Sequence, residues 1–405
     1  MNITAMLAAI QPSDPERKRP EKEMLARLYL LHVAEPPAPA LSAFVARQPS
    51  AAHAADRVRA GDVPAAVAEE TQARRDQDFL ARDLTEAVNA GARLLIPEDP
   101  QWPKWRFSAL DVATNRDGRW AGTPLALWVR GNDRLAELTD RAVALVGARA
   151  ASDYGEQLAA ELGHALSTHG FTVVSGAAYG IDGFAHRGAL SADSPTVAVL
   201  GCGIDQSYPR GHDTLLRQIT RGGAVVSEYA PGTPPLRHRF LIRNRLIAAL
   251  SSGTVVVEAG RRSGARNTAT TAAALGRVVL AVPGRFNAAT SIGCHELIRS
   301  GEATLVGCVE DVLEAVGQVG EGLSPRAPEA RRETDGLDDR SLRVFEALSA
   351  RTPRSPEQVA ILSGIRVDGV RAALTSLELR ELAVPTDSGW RAKEPAKDRD
   401  MRGDT

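Results

Sequence analysis

Lysine is scarce in this sequence. Of the 49 basic residues among 405, only five are lysines, namely Lys18, Lys22, Lys104, Lys393 and Lys397, and the other 44 are arginines. The long central stretch between Lys104 and Lys393 has no lysine at all. That stretch therefore cannot carry a Walker A phosphate-binding loop, a Schiff-base lysine or the catalytic lysine of a protein kinase.

Cysteine and long apolar runs are also missing. The three cysteines, Cys202, Cys294 and Cys308, are far apart and form no C-x-x-C pair. This excludes a disulfide framework or a cysteine zinc site, so we expect buried thiols, a cytoplasmic location and no metal or other cofactor. No apolar run approaches the roughly 18 residues of a membrane span, and no signal peptide is indicated, so we expect no membrane contact.

The chain has almost no net charge. Its 49 basic and 50 acidic residues leave a formal charge of -1. A protein that covers its whole surface with nucleic acid usually has a strong basic excess. The balance therefore excludes such a protein but allows a local basic site.

Changes in composition divide the chain into segments. Apolar residues recur at helical spacing before residue 96, short valine-rich runs follow up to residue 316, and glycine, proline and charge come next. The last part has the order of a winged helix, with three helices and then two short strands. We expect a disordered tail (1–23), a helical domain (24–95), an α/β core extended at its start by 96–140 (96–316), a linker (317–338), a winged helix (339–392) and a tail (393–405).

The core sequence predicts a parallel sheet. Six short apolar runs are rich in valine and do not alternate with polar residues, at 143–146, 171–174, 196–200, 224–226, 254–257 and 278–282. Such strands are buried on both faces, and helical stretches at 154–168, 212–221, 240–250 and 267–275 separate them. The predicted fold class is therefore α/β, with a doubly wound, Rossmann-like sheet.

Glycines follow the predicted strands. Gly147 comes after the first, Ser175, Gly176 and Gly180 after the second, and Gly201 after the third. In an open α/β sheet, ligands bind beyond the carboxyl ends of the strands, where glycine amides can approach a phosphate. The dinucleotide fingerprint G-x-G-x-x-G is absent, because Gln206 stands at its third glycine.

One segment, 237–245, concentrates positive charge. It contains Arg237, Arg239, Arg243 and Arg245 with no acidic residue, and Phe240 lies among them. Arginines that hold phosphates around an aromatic ring that stacks on bases are typical of single-stranded nucleic-acid sites. The alternative is a solvated loop and helix start, with arginines paired to Glu228 or Glu258.

Several motifs resemble those of one protein family. The runs 146–149 (VGAR), 175–190 (SGAAYGIDGFAHRGAL), 199–209 (VLGCGIDQSYP), 227–229 (SEY), 243–248 (RNRLIA) and 281–284 (AVPG) occur in the order of the DprA (Smf) family. The resemblance covers about 141–316, and more weakly 91–140. The C-terminal unit resembles the winged helix of many members, and the N-terminal helices resemble the family's SAM-like domain.

The resemblance implies a function in binding. Members of the family are single-stranded DNA-binding proteins, usually dimeric, that deliver incoming DNA to the RecA recombinase in natural transformation, and they are not known as enzymes. By this resemblance, Arg149 contacts DNA, Arg237 contacts phosphate and Phe240 stacks on a base. The full set of expected DNA-binding residues is Arg149, Ser175, Gly176, Gly180, Arg237, Arg239, Phe240, Arg243, Asn244, Arg245 and Arg266.

The sequence departs from the family pattern at three places. Ala148 replaces a serine, so one hydroxyl contact to phosphate is lost. Leu241 stands where the family has proline, and Arg266 and Asn267 replace two apolar residues, which adds a cation to the expected pocket.

Two other functions stay open from the residues. Related folds cleave nucleoside monophosphates with a P-G-G-x-G-T-x-x-E motif, and 252–258 (SGTVVVE) is similar but lacks its glycine pair. A transcription regulator would instead read duplex DNA through Arg366 and Arg371 of the winged helix.

Overall fold

The computed structural model describes residues 2–12, 14–117, 122–317 and 334–393. Its contacts divide the chain into two units, 1–323 and 324–405. Most of the predicted linker (317–338) and nearly all of the predicted C-terminal tail (393–405) lie outside the described residues.

The larger unit is built on a nine-stranded sheet. Its strands are β1 (Arg93–Leu95), β2 (Leu127–Gly131), β3 (Ala142–Val146), β4 (Thr172–Ser175), β5 (Thr196–Leu200), β6 (Ala224–Ser227), β7 (Gly253–Val256), β8 (Val278–Ala281) and β9 (Thr304–Leu305). Their spatial order is β1-β2-β6-β5-β4-β3-β7-β8-β9, and β3 to β9 pair in parallel. The predicted doubly wound α/β fold is confirmed, and the strand order reverses between β3 and β7, where such folds bind ligands.

Two antiparallel strands extend this sheet. β2 pairs with β6, so that Trp128 lies opposite Ser227, and β1 pairs with β2. The sequence predicted that 96–140 extends the core, but it did not predict that β2 would add an antiparallel edge to the core sheet.

Helices cover both faces of the sheet. They are α1 (Ile3–Ala9), α2 (Glu21–Val33), α3 (Pro39–Ala46), α4 (Ala51–Ala60), α5 (Ala65–Thr71), α6 (Leu80–Asn89), α7 (Lys104–Asp117), α8 (Leu135–Leu138), α9 (Asp153–Thr168), α10 (Ile181–Ser191), α11 (Asp213–Ile219), α12 (Arg237–Leu250), α13 (Gly264–Ala274), α14 (Ile292–Arg299) and α15 (Val309–Val316). On one face, Val143 and Leu145 pack with Leu162 of α9. On the other face, Ala144 packs with Ile247 of α12.

The N-terminal helices are part of this unit. Leu7 of α1, Leu28 of α2 and Leu84 of α6 share a buried cluster with Trp128 and Leu200 of the sheet. The helical region therefore covers one face of the sheet as well as enclosing its own core.

The predicted disordered tail, 1–23, is wrong where the structure describes it. Ile3–Ala9 is helical, and the buried Arg17 side chain pairs with Asp99 at 3.0 Å and with Asp133 at 2.8 Å. This polar segment is ordered because two carboxylates that are distant in the sequence form ion pairs with its buried Arg17.

The smaller unit is a winged helix, as predicted. Helices α16 (Asp339–Glu346), α17 (Pro356–Ser363) and α18 (Val367–Leu379) precede an antiparallel pair, β10 (Ala383–Thr386) and β11 (Gly389–Ala392). Ser355 and Gln358 form a capping box at the start of α17, and Gly364 ends it in the left-handed conformation.

Among the described residues, no helix has the length and apolar character needed to cross a membrane.

Candidate nucleic-acid interface

Phe240 lies at the carboxyl edge of the sheet. It is on the first turn of α12, and its ring centroid is 5.1 Å from that of Tyr208. The guanidinium carbon of Arg149 is 5.2 Å from the ring centroid. A Cβ atom at Gly201 would lie 2.8 Å from the ring, so the glycine after β5 is what lets the half-buried phenylalanine approach the strand ends.

Arg149 is exposed on the loop after β3, and a glycine supports its backbone. Gly180 has a φ of +71°, and a Cβ atom there would lie 2.3 Å from the Ala148 carbonyl oxygen and 2.6 Å from that of Arg149. The amide of Ile181 donates to the Ala148 carbonyl at 3.2 Å. A side chain at position 180 would therefore collide with the backbone of the loop that positions Arg149.

Arg237 is the first residue of α12, because the helix begins three residues earlier than the sequence predicted. Its side chain is exposed, and the structure shows no ion pair for it among the described residues. The helix start has no side-chain cap. The first turn therefore presents free amides and a cation, a combination that favours an anion.

Arg243 is buried beneath this surface. Its guanidinium donates to the carbonyl oxygens of Gly176, at 2.9 Å, and Val199, and burial lowers its pKa. A Cβ atom at Gly176 would lie 2.4 Å from the guanidinium nitrogens. Arg243 thus joins the ends of β4 and β5, and Gly176 makes room for it.

Asp182 lies close to this buried arginine. Its carboxylate accepts from the Gly176 amide at 3.2 Å. Burial raises its pKa, although Arg243 and the backbone amides oppose that effect. Asn244 is also buried, and its amide donates to Asn267 at 3.3 Å.

Besides Arg243, three predicted DNA-contacting side chains are wrong as direct contacts. Arg245 is fully buried and donates to both carboxylate oxygens of Glu228, at 2.5 and 2.6 Å. Arg239 is buried against Glu35 at 2.6 Å. The buried Ser175 hydroxyl donates to the Leu145 carbonyl at 2.6 Å. Their polar groups are used inside the fold, and for Arg245 the alternative of a pair with Glu228 is the correct one.

Arg266 lies on α13, away from the Phe240 ring contacts. Its guanidinium donates to Glu296 and, at 3.0 Å, to the Arg261 carbonyl oxygen. Arg261 shares the same carboxylate at 3.1 Å. Glu296 therefore offsets one of these two arginines, and one net positive charge remains at this departure from the family pattern.

Two residues of the site were missed at the sequence level. Tyr208, whose ring contacts Phe240, lies in a motif that the sequence showed but carries no charge to mark it. Glu35 holds Arg239 from the helical region, 204 positions away in the chain, and no sequence signal indicates such a partner.

The cysteines were predicted to be buried. Cys202 and Cys294 are buried, and burial raises the pKa of each thiol to about 12. Cys308 is exposed, which contradicts that prediction, because it stands at the N-cap of α15. The described residues include no group of three side chains suited to a metal ion.

The residues behind the two alternative functions differ in burial, because Glu258 lies inside the fold whereas Arg366 and Arg371 form ion pairs on the surface. Glu258 is buried and accepts from the Ser152 amide at 2.9 Å and the Thr290 hydroxyl at 3.0 Å. On the winged helix, Arg371 pairs with Glu357 at 3.2 Å and Arg366 with Asp368 at 3.8 Å.

Comparisons with known proteins agree with this architecture. The family model for DNA recombination-mediator protein A matches residues 93–317, and that for the DprA winged helix domain matches 328–387. The chain belongs to the DprA family. It is similar to a DNA processing protein DprA of Mycobacterium tuberculosis, with 47% identity over 90% of this chain and 92% of that protein.

Other members of the DprA family are also similar. Protein Smf of Escherichia coli is 39% identical over 67% of this chain and 70% of its own length. The X-ray structure of DprA from Streptococcus pneumoniae covers 74% of this chain and 99% of its own, with 30% identity and a TM-score of 0.59. None of these descriptions names an enzymatic reaction.

Proposed function

We propose that this protein binds single-stranded DNA at the carboxyl edge of its sheet, by contact and without chemistry. The observation that carries the proposal is the half-buried Phe240 ring beside the exposed, unpaired Arg149, with Arg237 on the same helix turn. Aromatic stacking of bases combined with arginine contacts to phosphate is the usual basis of single-strand binding.

The geometry suggests how the strand is held. The Arg149 guanidinium lies over the Phe240 ring. A base that stacks on the ring displaces this exposed guanidinium, which is then free to pair with the neighbouring phosphate in a planar, two-pronged contact. The bases of a duplex are not free to stack in this way, so double-stranded DNA binds less well.

Family membership supports three further parts of the proposal. The protein acts as a homodimer in the cytoplasm, it delivers the bound strand to the RecA recombinase, and it does so in natural transformation.

The test is a titration of labelled oligo-dT with wild type and with Arg149→Ala, Arg237→Ala and Phe240→Ala. Loss of stacking should weaken binding of Phe240→Ala by about 1–3 kcal/mol. Arg221→Ala is the matched control, because this exposed arginine precedes β6 at the opposite edge of the sheet. Unchanged affinity in all three site variants would show that the site is assigned wrongly.

A further inference from the structure

A second aromatic residue lies free at the carboxyl edge of the sheet. Phe286 follows β8 and its side chain is 97% exposed, the most exposed large apolar residue of those described. Its neighbour Arg285 is also exposed. A single exposed apolar residue needs no explanation by itself, so its position must carry the argument.

The loop that bears Phe286 is anchored to the loop that bears Arg149. Glu258 joins the two, because it accepts from Thr290 at 3.0 Å and from the Ser152 amide at 2.9 Å. The Gly293 amide also donates to Ala259, after β7, at 2.6 Å. The Phe286 loop therefore lies at the same sheet edge, two strand spacings or about 10 Å along from β3.

Unpaired cations lie along this edge. Arg149 follows β3, Arg262 follows β7 and Arg285 follows β8, and all three are exposed with no ion pair among the described residues. The nearby carboxylates are occupied, since Glu258 is buried and Glu296 is shared by Arg261 and Arg266. The edge thus presents a row of arginines that ends in an exposed aromatic ring.

We propose that Phe286 is a second base-stacking residue and that the bound strand runs from Phe240 across the ends of β3, β7 and β8 to Phe286. Arg262 and Arg285 hold the phosphates between the two rings. The ligand is a single-stranded polynucleotide long enough to reach both rings, bound without sequence preference because every base has a face that can stack. This inference rests on the proposed function of the Phe240 site.

Oligonucleotides of two lengths distinguish the contribution of Phe286 from that of Phe240. Phe286→Ala should leave the affinity for an oligo-dT of about 4 nucleotides unchanged and weaken that for one of about 12 nucleotides by about fivefold or more. Phe286→Tyr, which keeps a stacking ring, should bind both lengths as wild type does. Phe240→Ala should weaken both, and if it weakens neither, the proposed function itself fails.

A spectroscopic readout distinguishes stacking from an indirect effect. In Phe286→Trp, binding of the longer oligo-dT should quench the added tryptophan emission. Val278→Trp is the control, because this residue is 38% exposed at the opposite, amino end of the same strand. Equal affinity of Phe286→Ala and wild type for the longer strand, with Phe240→Ala impaired, would overturn the inference. So would a change in molecular mass of Phe286→Ala without a change in binding, which would make Phe286 a contact between copies of the chain.

Discussion

His186 is buried on α10 and must stay neutral in the folded protein. The Thr196 hydroxyl donates to the Val173 carbonyl at 2.7 Å, so it must accept from the His186 Nδ1, at 2.8 Å. The ring proton is therefore on Nδ1, and the buried Nε2 has no partner among the described residues. Burial lowers the pKa of His186 to about 3.

This histidine should make stability depend on pH. Between its ordinary pKa of 6.5 and about 3, the unfolded chain binds a proton at His186 and the folded chain does not. Unfolding free energy should therefore fall by up to about 1.4 kcal/mol per pH unit as the pH drops below 6.5. Urea unfolding of wild type and His186→Asn, whose amide can replace Nδ1 as a donor, should show the smaller slope in the variant. Equal slopes between pH 7 and 5 would contradict the assignment.

At the scale of elements, α12 is held at its start by the helical region. The Arg239 Nε donates to one Glu35 oxygen at 2.6 Å, and Arg74 donates to the other at 2.6 Å. Burial alone would raise the pKa of Glu35, but these hydrogen bonds outweigh it and hold the pKa below its usual value. The pair fixes the helix turn that carries Phe240.

Glu35→Gln should therefore destabilise the protein by about 1–3 kcal/mol at neutral pH, because it leaves the buried Arg239 without its counter-charge. Because the pKa of Glu35 is lowered in the folded protein, the stabilisation that its carboxylate provides is complete above the ordinary pKa of 4.5. It is lost as the pH falls through the pKa of Glu35 in the folded protein. Thermal or urea unfolding should show the difference between variant and wild type shrinking below about pH 4. The exposed Glu69→Gln, on α5, should stay within about 0.5 kcal/mol of wild type, and a similar loss there would refute the explanation.

At the scale of the whole molecule, a formal charge of -1 coexists with a row of unpaired arginines at one sheet edge. Other arginines of the basic segment are neutralised inside the fold, such as Arg245 by Glu228. Binding should therefore depend on a few cations rather than on the total charge.

The salt dependence of DNA binding should show how many of those cations contact phosphate. Each phosphate contact contributes about 0.7 to the slope of log K against log salt for a single strand. Arg237→Ala should lower the slope by about 0.7, whereas Phe240→Ala should lower the affinity and leave the slope unchanged, because stacking releases no counterion. Anisotropy titrations at several salt concentrations measure both, and equal slopes for wild type and Arg237→Ala would exclude a phosphate contact at that residue.

The sequence by itself determined the elements and their class. Valine-rich runs predict buried parallel strands because burial on both faces removes the polar alternation, and all six runs overlap strands of the sheet. Glycines after the strands are likewise a local signal. They predicted the sheet edge at which Phe240 and Arg149 meet.

Only the tertiary structure decided which arginines stay exposed and unpaired. Along 237–245, Arg237 is exposed, whereas Arg243 is held by strand-end carbonyls and Arg245 by Glu228. Glu35, the partner of Arg239, comes from the other end of the chain. Composition cannot distinguish an arginine in a buried ion pair from an arginine that is exposed and unpaired. The difference depends on burial and on partners far away in the sequence.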